Sequence, residues 1–242
     1  MFVIQSLPRC GTHLLRTALS SHGEITCFGE VFNPGSEIHG YPAKHPTVTA
    51  VMGHCMSQSQ QTGFVAHAYV GLADHEIGPG LDLAFRRRAD VNVAHGLWDA
   101  IPRDTPVVTL YRENLLERYV SQRIAERRQV WLVSKGEAVP PVERIRIDCG
   151  MMFKDFARTE ALMSIAQSRF PNALRVSYEQ LVENADSIFG SILEHIGAAI
   201  RSLIPGTSKV GWQLGETIVN YCEVRSSLGG TRFEAFVHET TA

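Results

Sequence analysis

Residues 2–15 read FVIQSLPRCGTHLL, and no other stretch restricts the fold of this chain so strongly. Phe2, Val3 and Ile4 form a short apolar, partly β-branched run suited to a buried strand, and Pro8 ends it. Leu14, Leu15, Ala18 and Leu19 then recur at helical spacing, with Gly23 as the stop. A strand must therefore turn tightly into a helix, and the turn carries Arg9, Cys10, Gly11, Thr12 and His13. The first turn of a helix offers free N–H groups and the positive end of its dipole, and Gly11 lets the backbone approach an anion closely. The turn is thus expected to bind phosphate. It is not a Walker A loop, which needs GxxxxGK[ST] with its lysine; here Arg9 supplies the charge from the front of the turn.

A second unit of the same kind spans residues 106–128, PVVTLYRENLLERYVSQRIAERR. Val107, Val108, Leu110 and Tyr111 predict a buried strand with Arg112 at its end. Leu115, Leu116, Tyr119, Val120 and Ile124 predict a helix beginning near Asn114, which is suited to cap it. Ser121, nine residues after Arg112, falls two turns along that helix. Two anion sites about a hundred residues apart suit a ligand with phosphates at both ends of a ribose, provided the two strands lie side by side in a parallel sheet.

PRCGTHLL resembles the 5′-phosphosulfate loop of sulfotransferases that use 3′-phosphoadenosine 5′-phosphosulfate (PAPS), whose carbohydrate-modifying members carry a P-R-S-G-T-like string. Cys10 departs from that pattern and removes one side-chain donor. Arg112 and Ser121 match the arginine and serine that hold the 3′-phosphate in those enzymes, at the spacing of the bacterial carbohydrate and nodulation-type branch. The segment GEVFN at 29–33 is similar to a G-E-x-F-N-like string whose glutamate is the proposed base, and the matching residue is Glu30. VSYEQLV at 176–182 resembles a V-x-Y-E-D-L segment whose tyrosine lies beside the adenine, here Tyr178. The ending NYCEV…LGGTRF is similar to that of the nodulation-type enzymes, whereas the lysine that related enzymes carry after a Gly-Phe pair is replaced by Val65.

The resemblance implies an α/β, P-loop-like three-layer sandwich with a central parallel sheet of four to five strands and helices on both faces. It implies transfer of a sulfuryl group from PAPS to a hydroxyl of a carbohydrate or similar small or glycolipid acceptor, releasing adenosine 3′,5′-bisphosphate without a metal. Arg9, Cys10, Gly11, Thr12 and His13 then hold the phosphosulfate, Arg112 and Ser121 the 3′-phosphate, and Tyr178 the base. Glu30 is the expected catalytic base, with Arg9 and His13 catalytic beside it. His13 and His67 are alternative bases, Arg118 an alternative phosphate partner, and Lys209 a further candidate for contact with the cofactor. A nucleotide- or shikimate-type kinase and a catalytically degenerate bisphosphate-binding protein remain open alternatives.

The remaining expectations concern organisation. The chain of 242 residues suits one domain over 1–242, with 35–62 and 131–150 as irregular substrate-side loops and 205–242 as a C-terminal tail. Strands are expected over 24–28, 63–70 and 172–178, and helices over 152–170 and 179–198. His39, His45 and His54 match no metal-ligand spacing, and Arg86, Arg87 and Arg88 read as a solvated face. A net charge of −2 gives no support for nucleic-acid or membrane-surface binding. Five scattered cysteines without CxxC spacing read as reduced thiols in the cytoplasm, and no apolar run approaches the ~20 residues of a transmembrane segment. A homodimer is expected from the resemblance alone.

Overall fold

The computed structural model describes residues 1–32, 48–57, 61–72, 96–131, 133, 136–138, 144–207 and 212–237. Five strands form its sheet: β1 Phe2–Ser6, β2 Ile25–Glu30, β3 Gln61–His67, β4 Val107–Tyr111 and β5 Leu174–Ser177. They lie in the order β2-β3-β1-β4-β5, and every pairing is parallel. All five residues of β1 are buried, as are the first four of β4. That is the pattern of central strands covered on both faces, and it explains the unbroken apolar runs in the sequence. The architecture is α/β, a five-stranded parallel sheet flanked by helices, as expected.

Parallel neighbours need crossovers, and helices supply them. Between strands lie α1 Thr12–Ser20, α2 Val48–Met56, α3 Leu97–Ala100, α4 Leu115–Arg128 and α5 Cys149–Arg169, and after β5 follow α6 Tyr178–Glu183, α7 Ala185–His195, α8 Leu214–Thr217 and α9 Tyr221–Leu228. From β1 the chain passes over β3 to β2, whereas from β4 it goes the other way to β5. Adjacent strands β1 and β4, with Ile4 opposite Val108, therefore flank the topological switch point, where the turns after them open a crevice at the carboxyl edge.

Three expectations need correction. Part of the expected loop at 35–62 is helical: Val48, Val51, Met52 and Cys55 recur at helical spacing and bury one face of α2, while Gln61 and Thr62 already belong to β3. The expected last helix is broken at Asn184, which caps α6 on one side and precedes α7 on the other. The expected tail at 205–242 contains α8, α9 and a 3₁₀ turn over Glu234–Val237. Leu214, Ile218, Val224, Leu228, Phe233 and Val237 form, with Leu116, Phe156 and other residues of α4 and α5, an apolar cluster of their own. Asn220 bonds both backbone groups of Ile147 at 2.9 Å, and Ile145 bridges Ile218, so the end of the 131–150 segment is tied to this C-terminal layer.

Candidate functional site

The turn after β1 has two left-handed residues, Arg9 at φ 68° and Gly11 at φ 89°. Glycine adopts such an angle at little cost, whereas for arginine it costs about 1–2 kcal/mol. Gly11 is the N-cap of α1, with no side-chain cap and no acidic residue in the first turn, so the leading amides and the positive dipole end are left for an anion. Gly11 is required sterically as well: a Cβ there would stand 2.6 Å from Cδ2 of Tyr178. Tyr178, expected to end a strand, is the first residue of α6, capped by Ser177.

Four of the expected ligand residues meet over this turn. Arg9 donates from Nε to Ser121 Oγ at 3.0 Å and from Nη1 to the Trp131 carbonyl at 2.6 Å. Arg112 lies with its Cζ 4.6 Å from the Tyr178 ring centre, a cation–π contact. Burial, and next the neighbouring Arg112 charge, push the Arg9 guanidinium below its ordinary range. Two neighbouring guanidiniums, one half-buried and one buried, favour a bound anion.

Two carboxylates absent from the sequence expectations share Arg112. Glu117 accepts from its Nη2, and Oε1 of Glu179 lies 3.7 Å from its Nε. Glu179 also accepts from the Glu113 and Asn114 amides at 3.0 and 3.3 Å, clamping the turn after β4. Glu117 is legible in hindsight, because Asn114-x-x-Glu117 is a capping-box spacing, and Asn114 does cap α4 through the Glu117 amide. Glu179 has no local signal; it arrives because β4 and β5 pair with Tyr111 opposite Ser177. Asn114 also donates from Nδ2 to the Phe236 carbonyl at 3.1 Å.

A second group sits at the same edge, on the other side of β1. Oε1 of Glu30 lies 3.0 Å from Nε2 of His67, and Nδ1 of His67 lies 3.3 Å from Ser6 Oγ. The three residues end β2, β3 and β1, so adjacent strand ends set the row. Glu30 lies beyond the strand expected over 24–28, but it is the last residue of β2, where a register shift between Phe28 and Glu30 re-aims the strand. His67 is only 5% exposed.

Other expected residues are placed as follows. Thr12 and His13 open α1. Cys10 is buried in the main core, and burial pushes its thiol up. Arg118, the alternative phosphate partner, bonds Asp155 and Thr159 of α5. His54 lies in α2 against Phe28, ring centres 6.1 Å apart. Lys209, His39, His45 and Arg86 to Arg88 lie outside the described residues. Among the described residues no helix is long and apolar enough to cross a membrane, and no cluster of His, Cys, Asp or Glu is arranged to hold a metal ion.

No known protein-family profile matches the chain, and no curated protein matches it in sequence. Among solved structures, a sulfotransferase from Alicyclobacillus acidocaldarius superposes with a TM-score of 0.52 at 15% identity, covering 98% of this chain and 95% of that one. At that identity the likeness establishes a shared fold.

Proposed function

We propose that this protein is a sulfotransferase that moves a sulfuryl group from PAPS to a hydroxyl of a carbohydrate or similar small acceptor. The observation that carries the reading is the convergence of two strand-turn-helix units at the switch point, with Arg9 bonded to Ser121, Arg112 over the Tyr178 ring and that ring against Gly11. The fold shared with a solved sulfotransferase supports it. The residues suit the nucleotide: an uncapped helix start, half-buried Arg9 and buried Arg112 accept anions, and the Tyr178 ring lies flat beside Arg112.

In this reading the amides of residues 10–13, with Arg9, Thr12 and His13, hold the 5′-phosphosulfate. Arg112 and Ser121 hold the 3′-phosphate, while Glu117 and Glu179 orient the Arg112 guanidinium. The donor supplies an activated sulfuryl group: its bond from sulfur to the bridging oxygen breaks as the acceptor oxygen bonds to sulfur. Arg9 and the helix start stabilise the charge that develops on the departing phosphate. Glu30 takes the acceptor's proton, held in place by His67, which Ser6 fixes in turn. The acceptor and leaving oxygens must be aligned on opposite sides of sulfur, and the adjacency of β2, β3 and β1 sets that alignment. Free thiols at Cys10, Cys27, Cys55, Cys149 and Cys222 suit a reducing, cytoplasmic setting.

Incubation with PAPS and a panel of sugars, read by release of adenosine 3′,5′-bisphosphate, tests the reading. Acceptor-dependent release that disappears in Arg9→Ala is expected; undiminished release in that variant would remove Arg9 and its turn from the assignment.

A further inference from the structure

Helices α4 and α5 face each other across a cleft whose rim includes Pro8, from the turn after β1, and Tyr69, just past β3. The Tyr69 ring lies 5.4 Å from that of His67, so the cleft adjoins the row of Ser6, His67 and Glu30. Its α4 wall carries Arg118, Gln122 and Arg123, and its α5 wall Asp155, Arg158 and Thr159. Three guanidiniums thus line it against the single carboxylate of Asp155.

A structural ion pair accounts for only part of this. Asp155 and Thr159 both accept from Nη2 of Arg118, and Gln122 donates to Glu126 at 2.7 Å. Arg118 Nε and Gln122 Oε1, on side chains 4% and 3% exposed, are buried with no hydrogen-bond partner among the described residues. Leaving such atoms unmet costs about 1–3 kcal/mol each, so in a cleft they mark where polar groups of a ligand belong. Arg123 pairs with Glu126 at 2.7 Å and lies over the Tyr119 ring, so with Arg158 the cleft brings three guanidiniums against two carboxylates and keeps a positive excess.

We infer that this cleft is the acceptor subsite and that it selects an anionic sugar, a polyhydroxylated acceptor bearing a carboxylate or phosphate. The inference rests on the proposed sulfotransferase function for the identity of the reaction, but the preference of the cleft is a separate property. Gln122, Thr159 and Asp155 meet the sugar hydroxyls, and Arg123 and Arg158 meet the acid. The reacting hydroxyl points past Tyr69 toward Glu30.

The test is calorimetric titration of the full chain, with and without saturating adenosine 3′,5′-bisphosphate, using methyl glucuronide, glucose 6-phosphate and methyl glucoside. Wild type is expected to bind at least one acidic sugar about tenfold more tightly than methyl glucoside, as charge-assisted bonds to arginine warrant. Arg123→Gln and Arg158→Gln, both on incompletely buried side chains, should each reduce that ratio several-fold with unchanged Tm. Equal affinity for acidic and neutral sugars, no binding of either acidic sugar, or an unchanged ratio in both variants would overturn the inference. Failure of the bisphosphate itself to bind would instead defeat the parent reading, while the titrations without it still report the cleft's preference.

Discussion

Nε of Arg9 stands 3.0 Å from Oγ of Ser121, two residues 112 positions apart in the chain. The contact joins the turn after β1 to the second turn of α4, and it exists because β1 and β4 are parallel neighbours. A serine hydroxyl accepts and donates at once, so Ser121 can keep its bond from Arg9 while donating its own proton to a phosphate. Replacing Ser121 by alanine should weaken binding of adenosine 3′,5′-bisphosphate by about tenfold or more, the worth of one hydrogen bond to a charged group. Titration of the variant reads this directly, and unchanged affinity would remove Ser121 from the site.

Glu30→Gln keeps the shape of the side chain and its contact with His67 but removes the basic oxygen. The rate constant kcat is expected to fall by about 10²–10⁴-fold, the usual contribution of a general base. His67→Gln should lower kcat less, because His67 acts through Glu30, and it should leave affinity for the bisphosphate intact. Full activity in Glu30→Gln together with loss in His13→Ala would transfer the role to His13.

Two glycines separate a binding defect from a folding defect. A Cβ at Gly63 would lie 2.2 Å from the buried Phe2 ring, so Gly63→Ala should cost about 1–3 kcal/mol of stability by overpacking, with little effect on ligand affinity once folded. Gly11→Ala faces both φ +89° and the Tyr178 ring at 2.6 Å, so it should lose stability on a similar scale and bisphosphate affinity as well. Denaturant melts beside titrations distinguish the two.

Burial pushes the thiols of Cys27 and Cys55 up from their ordinary value near 9 to about 12. Folding thus favours their protonated form. Stability from this source is whole below pH 9 and falls as pH rises from about 9 to about 12, where only the unfolded chain has released the protons. Melts of wild type and of Cys27→Ala/Cys55→Ala across that window should show the smaller loss in the variant. At pH 8 an alkylating agent should modify exposed Cys222 well before either buried thiol.

Much of this arrangement was legible in the sequence because its signals are local. The apolar run at Phe2 to Ile4, the breaker at Pro8 and the capped start at Asn114 act within a few residues, and β1, β4, α1 and α4 follow from them. Contacts that depend on strand order were not legible. Glu179 reaches Arg112 only through the β4–β5 register, and His67 reaches Glu30 only because β3 lies between β2 and β1. The helix at Val48–Met56 was obscured by surrounding glycines, prolines and polar residues, although its four buried positions carry the helical spacing. The C-terminal layer reads as a tail because its short helices are stabilised by packing on α4 and α5 and by the Asn220 bonds to Ile147 rather than by long periodic runs.

The most direct measurement is a calorimetric titration with adenosine 3′,5′-bisphosphate, run beside AMP and beside ATP with magnesium, on wild type and Arg112→Ala. Circular dichroism melts would establish that the variant folds. Micromolar binding of the bisphosphate alone, lost in Arg112→Ala, is expected if the turns after β1 and β4 form one nucleotide site. Absence of binding to wild type, or binding that Arg112→Ala leaves unchanged, would contradict that site and with it the assignment of a PAPS-dependent sulfotransferase.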